Sequence, residues 1–90
     1  MEEKIFMKLT IDEFKHYVTQ GREIEFSFNS FDYFISSNYE KENHFFMEIS
    51  KDGIWTKIFN GTIEDFFSFE FEGKYTCEKH FNLIDFQYIL

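Results

Sequence analysis

Ninety residues carrying 17 acidic and 9 basic side chains have a formal charge of −8 and an isoelectric point near 4.7. Direct binding to a nucleic acid backbone is therefore not expected, because neutralising phosphates needs clustered Lys and Arg and Arg22 is the only arginine. One cysteine, Cys77, permits no internal disulfide, and the opening residues MEEKIFMKL carry acids where an export signal carries bases, in an apolar run too short to cross a membrane, so a cytoplasmic location is expected.

A chain this short buries only about 60% of its unfolded surface. Fifteen Phe, five Tyr and one Trp offset that limit, since each aromatic side chain can bury roughly 150–250 Å².

Taken in order, Thr10-Ile11-Asp12-Glu13 fits a capping box and opens a helix. Ile11, Phe14, Tyr17 and Val18 form its apolar stripe, while Asp12, Glu13, Lys15, His16 and Thr19 face away, and Gly21 ends it. So short a helix does not persist alone and must lie on the next element of the chain. That element is GREIEFSFNSFDYFISS, residues 21–37. Ile24, Phe26 and Phe28, then Phe31, Tyr33 and Ile35, recur at period two around Asn29-Ser30, which predicts an antiparallel hairpin with one dry and one wet face. Phe34 breaks the pattern, and the turn has Ser30 where Gly is usual.

After a polar loop over residues 38–43, HFFMEIS (44–50) alternates again with Phe45, Met47 and Ile49 on one side. Asp52-Gly53 is a turn, and residues 54–59 (IWTKIF) complete a meander. Asn60-Gly61-Thr62 breaks the strand, Thr62 caps a second helix, and Glu64 and Asp65 suit its first turn. Ile63, Phe66, Phe67 and Phe71 are expected to face the sheet. A break is expected over residues 70–74 (EFEGK) around Gly73, Thr76 caps a further turn through Phe81, and residues 83–90 form a closing strand with Ile84, Phe86, Tyr88 and Leu90 on one face. No repeat, linker or proline interrupts the chain, so residues 1–90 are read as one α+β domain. Its expected order is an N-terminal helix, an antiparallel meander of three or four strands, one or two short helices and a C-terminal strand, with the helices mainly on one sheet face.

The segments TIDEFKHYVTQGREIEFSFNSFDYFIS, IFNGTIEDFFSFEFEGKYTCE and LIDFQYIL resemble a set of small uncharacterised proteins of low-GC Gram-positive bacteria, their phages and mobile elements. The departures are Ser30, in place of a turn glycine, and Tyr75, in place of an aliphatic residue. This resemblance implies the fold and brings no activity with it. In size, acidity and element order the chain is also similar to small acidic anti-CRISPR proteins. That likeness implies an inhibitor whose carboxylates stand where a nuclease expects DNA phosphates.

Several residues bear on chemistry. Cys77 and His80 have a permissible metal spacing but make half a site, and as a nucleophile Cys77 lacks a group to orient its base. Gly21, Gly53, Gly61 and Gly73 are scattered and form no phosphate loop. No metal, cofactor or catalytic constellation is expected. Glu23, Glu25, Asp32 and Glu48 are expected together on the wet sheet face, with Phe34, Phe46 and Trp55 among or beside them. Aromatics supply binding energy while surrounding charge selects the partner. The expected function is a non-catalytic module that binds a basic protein, a CRISPR or other defence nuclease above all. The alternative is a homo-oligomeric domain that pairs its leftover aromatics with a second copy.

Overall fold

The period-two hairpin is the middle of a larger sheet. In the structure, a computed structural model that describes residues 3–71 and 74–90, the order is β1 (Glu3–Met7), α1 (Ile11–Thr19), β2 (Ile24–Phe28), β3 (Phe31–Ser37), β4 (Phe45–Lys51) and β5 (Ile54–Gly61). Then come α2 (Ile63–Ser68), β6 (Glu70–Phe71), β7 (Tyr75–Thr76), α3 (Cys77–His80), a 3-10 turn over Phe81–Leu83, and β8 (Asp85–Ile89). Six strands form one antiparallel sheet in the order β1-β8-β2-β3-β4-β5. Of the break expected over residues 70–74, Glu70 and Phe71 instead form β6, and its centre at Gly73 lies outside the described residues.

Burial fixes the register of β2 and β3. Ile24, Phe26, Tyr33 and Ile35 are buried and pair as Ile24↔Ile35 and Phe26↔Tyr33, so a one-residue slip of either strand would turn its pair toward water. The two turn residues both have positive φ, 50° at Asn29 and 71° at Ser30, which is the twist that a two-residue hairpin requires. Serine is strained there by its Cβ. Ser30→Gly should therefore raise stability by about 0.5 kcal/mol, the relief of a left-handed residue less the added freedom of the unfolded chain; a urea midpoint that stays put or falls would contradict this.

The helices all lie on the inner face. Thr10 and Glu13 form the expected capping box, with Glu13 N donating to the Thr10 hydroxyl and Thr10 N to the Glu13 carboxylate. At the other end Gly21, at φ 75°, lets the chain turn away while its N–H and that of Arg22 close on the Val18 and Tyr17 carbonyls. Phe14 is fully buried, with its ring 5.3 Å from Phe66, 5.6 Å from Phe81 and 5.8 Å from Phe86. It joins the helical segments to the sheet. Thr62 caps α2 through Asp65, whose carboxyl is held below its ordinary pKa chiefly by the Thr62 backbone N–H and then by the Thr62 hydroxyl.

Phe71 fills the other half of the core, its ring 5.2 Å from both Phe28 and Tyr33. It reaches them from β6, which pairs with β7 as a separate two-stranded ribbon.

Four expectations need correction. Ile11 is 40% exposed, because the stripe of a helix this short centres on Phe14 and leaves its first turn overhanging. Tyr88 and Leu90 do not share a face with Phe86, since β8 carries a bulge. Glu25 pairs with Tyr88 while Phe26 pairs with Phe86, so Gln87 is an extra residue and burial resumes at Ile89. The strand over residues 54–59 runs on through Gly61, where the backbone approaches Asp65 and Phe59 so closely that a Cβ would lie 2.9 Å from each. Last, β1 was not anticipated. It has no local turn partner and is held by β8 at the far end of the sequence, with Glu3↔Ile89 and Met7↔Phe86.

Candidate protein-interaction face

The six strand residues singled out, Glu25, Asp32, Phe34, Phe46, Glu48 and Trp55, project from the outer sheet face, opposite the helices, and Glu23 stands just before β2. Pairing places them. Glu25, Phe34, Glu48 and Lys57 form one cross-strand row over β2, β3, β4 and β5, extended on the other side by Tyr88 of β8. Ser27, Asp32, Ser50 and Trp55 form the next row. Phe46 lies between Ser36 and Asn60, and Glu23 precedes β2 and exchanges backbone hydrogen bonds with Leu90.

The aromatics make the centre of this face. Phe34 and Trp55 meet edge to face with centroids 6.3 Å apart at 66°, a geometry that aromatic pairs prefer. Lys57 Nζ sits 3.8 Å from the centroid of Phe46, a cation–π contact. Phe34 and Phe46 are consequently half-buried, whereas Trp55 is 43% exposed. The expectation of three bare aromatics is corrected to one open ring propped by two partly covered ones.

Carboxylates surround them. By strand spacing, the backbones of Glu23 and Glu25 are about 7 Å apart, and those of Glu25 and Glu48 about 10 Å apart across two strands. Asp32 is aimed by a polar chain running over three strands: Gln87 Nε2 donates to Ser27 Oγ, and Ser27 Oγ donates to Asp32 Oδ1 at 3.0 Å. Sequence reading missed this chain and also missed Lys57, which stands opposite Glu48. The alternation of Trp55 with Lys57 was the signal that could have placed the lysine. The Ser27-Gln87 contact had none, because it spans 60 positions and depends on the bulge.

The other candidates are dispersed. Cys77 is fully buried and burial pushes its thiol up to about 12, so it is not a thiolate at neutral pH. His80 Nδ1 lies 3.1 Å from the Thr76 carbonyl and its ring packs on Tyr75. Among the described residues no three His, Cys, Asp or Glu side chains converge as metal ligands. A cleft of about 660 Å³ lies beside the β3–β4 loop, lined by residues that include Asn38, Glu42, His44 and Thr62. The hydrogen bonds of those four are turn, cap and cross-loop contacts within the fold. No described helix is long and apolar enough to cross a membrane.

No protein family, curated protein or solved structure matches this chain. The functional reading therefore rests on its own residues.

Proposed function

We propose that this chain is a non-catalytic binding module that docks its outer sheet face onto a basic, nucleic-acid-binding protein in the cytosol. Its most concrete form is an inhibitor of a bacterial defence nuclease, of phage or mobile-element origin, whose carboxylates compete for the groove that DNA would occupy. One observation carries the reading: a sheet face that no described helix covers, whose Phe34–Trp55 pair stands among Glu23, Glu25, Asp32 and Glu48. Aromatic rings held in place supply contact area at little entropic cost, and acids around them favour an arginine-lined groove over neutral surfaces. The net charge of −8 adds long-range attraction to such a partner.

The test uses a purified, guide-loaded RNA-guided DNA nuclease as probe. The protein should displace fluorescent duplex DNA from it and block cleavage, and the apparent affinity should fall about tenfold or more between ~0.05 M and ~0.3 M salt. Binding that ignores salt, or that leaves DNA in place, counts against mimicry.

A further inference from the structure

We infer that β5 is a homodimerisation edge, along which two copies of this chain pair antiparallel about Thr56 and join their sheets into one. Among the described residues no strand lies on the far side of β5. Its side chains from Ile54 to Lys57 are all exposed, including Ile54 at 66% and Trp55 at 43%. In a chain with 17 acids, the segment 54–61 (IWTKIFNG) has none, and Lys57 is its one charge. Two copies can therefore approach along this edge without setting carboxylate against carboxylate.

The hairpin decides the register. A two-residue turn closes on a hydrogen-bonded pair, here Lys51 and Ile54, so Ile54 and Thr56 bond to β4 while Trp55 and Lys57 turn their N–H and C=O groups outward. Only registers that oppose outward-facing residues can form a ladder. Opposing Lys57 to the partner's Lys57 sets like charges together, and opposing Trp55 to the partner's Trp55 sets Lys57 against the partner's Gly53. The remaining register sets Trp55 against the partner's Lys57, twice by symmetry. Each Trp55 ring then packs on the aliphatic stem of a lysine whose ammonium lies over Phe46 of its own chain.

On the inner side this register puts Thr56 against the partner's Thr56, flanked by two contacts of Ile54 with the partner's Ile58. The bulge at Ile58, where Met47 pairs with Phe59 and Glu48 with Lys57, stops the ladder there. A lysine and a bulge are ordinary guards of an edge strand; in this register the lysine has an aromatic partner and the bulge sets the length. The axis runs through the sheet, so both outer faces stay on one side and remain open to a third protein.

An edge contact of five residues is small, so association should fall in about the 10 μM to 1 mM range. Sedimentation of the full chain across that range should move from the 11.1 kDa monomer toward twice that mass. Added salt should strengthen it by screening repulsion between two acidic bodies, which is the opposite of the salt effect on binding a basic protein. Thr56→Cys should give a disulfide dimer on mild oxidation, since opposed residues of a non-hydrogen-bonded pair lie about 4.5 Å apart, within disulfide reach. Asn60→Cys, beyond the bulge, should not. Cys77 is a silent background because it is fully buried. Lys57→Pro removes an outward N–H and should weaken association at least tenfold with the fold retained by circular dichroism. A wild-type mass constant at 11.1 kDa throughout overturns the proposal. So does cross-linking of Asn60→Cys as readily as Thr56→Cys, or of neither.

Discussion

Phe14→Ala should leave the domain largely unfolded near 37 °C. The ring is fully buried and touches Phe66, Phe67, Phe81 and Phe86, which belong to three different elements. Truncating a buried Phe costs about 3–5 kcal/mol through lost transfer energy and the cavity left behind. Domains of this size hold only about 5–10 kcal/mol in total. The neighbours are themselves large rings anchored on separate elements, so collapse into the space requires a whole helix to shift. Urea denaturation followed by Trp55 fluorescence should show the midpoint fall by half or more with little change in slope. Trp55→Ala, followed by circular dichroism, should cost under about 1 kcal/mol because that ring faces water. A Phe14→Ala protein as stable as the parent would mean that α1 is not the keystone described.

The second large effect concerns binding. Glu23→Lys combined with Glu25→Lys reverses two charges at the start of β2, and affinity for a basic partner should drop about 10- to 100-fold at low salt. The fold should survive. Glu25 is flanked across the ladder by Phe34 and Tyr88, whose rings accept the methylene stem of a lysine as readily as that of a glutamate. Titration of the nuclease probe, with melting curves of both proteins, separates the outcomes. Unchanged affinity in a folded double variant would remove these two residues from the site. Loss of folding would instead show that their carboxylates help to hold the sheet.

Much of this structure is legible before any coordinates because its signals are local. Thr10 with Glu13, and Thr62 with the acids after it, announce helix starts within four residues, and a side chain three positions away is where a cap must look for its partner. The Asn29-Ser30 and Asp52-Gly53 turns sit between alternating runs, so pairing between β2 and β3 and between β4 and β5 is found by counting outward. Placement of Glu25, Asp32 and Glu48 on one face needed nothing more than that parity.

Failures come where the deciding partner is remote. The pattern EKIFM has no alternation of its own, and its strand exists because β8 lies beside it. Alternation through Tyr88 broke at Gln87, since a bulge reflects how β8 fits between two neighbours rather than which residues it contains. The half-burial of Phe34 and Phe46 had the same origin, as their covers, Trp55 and Lys57, stand on other strands. Phe71 was expected on the sheet and is there, but it arrives from a two-residue strand that no periodicity can announce.

The position of β8 bears on how the protein is made. Among the described residues, the strand nearest the start of the chain pairs with no other strand than the one nearest the end, and Lys8 is tied to Asp85 across 77 positions at 2.7 Å. On a ribosome adding about 5–20 residues per second, β1 is synthesised on the order of 4–17 s before that neighbour. During the wait the hairpin of β2 and β3 has an open side, and α1 has no Phe86 to rest on. Folding of the complete sheet thus waits for β8 and is dominated by the slow search that distant pairings impose. Nascent chains stalled just before β8 should present Phe14 and Phe26 to whatever chaperone waits at the tunnel exit.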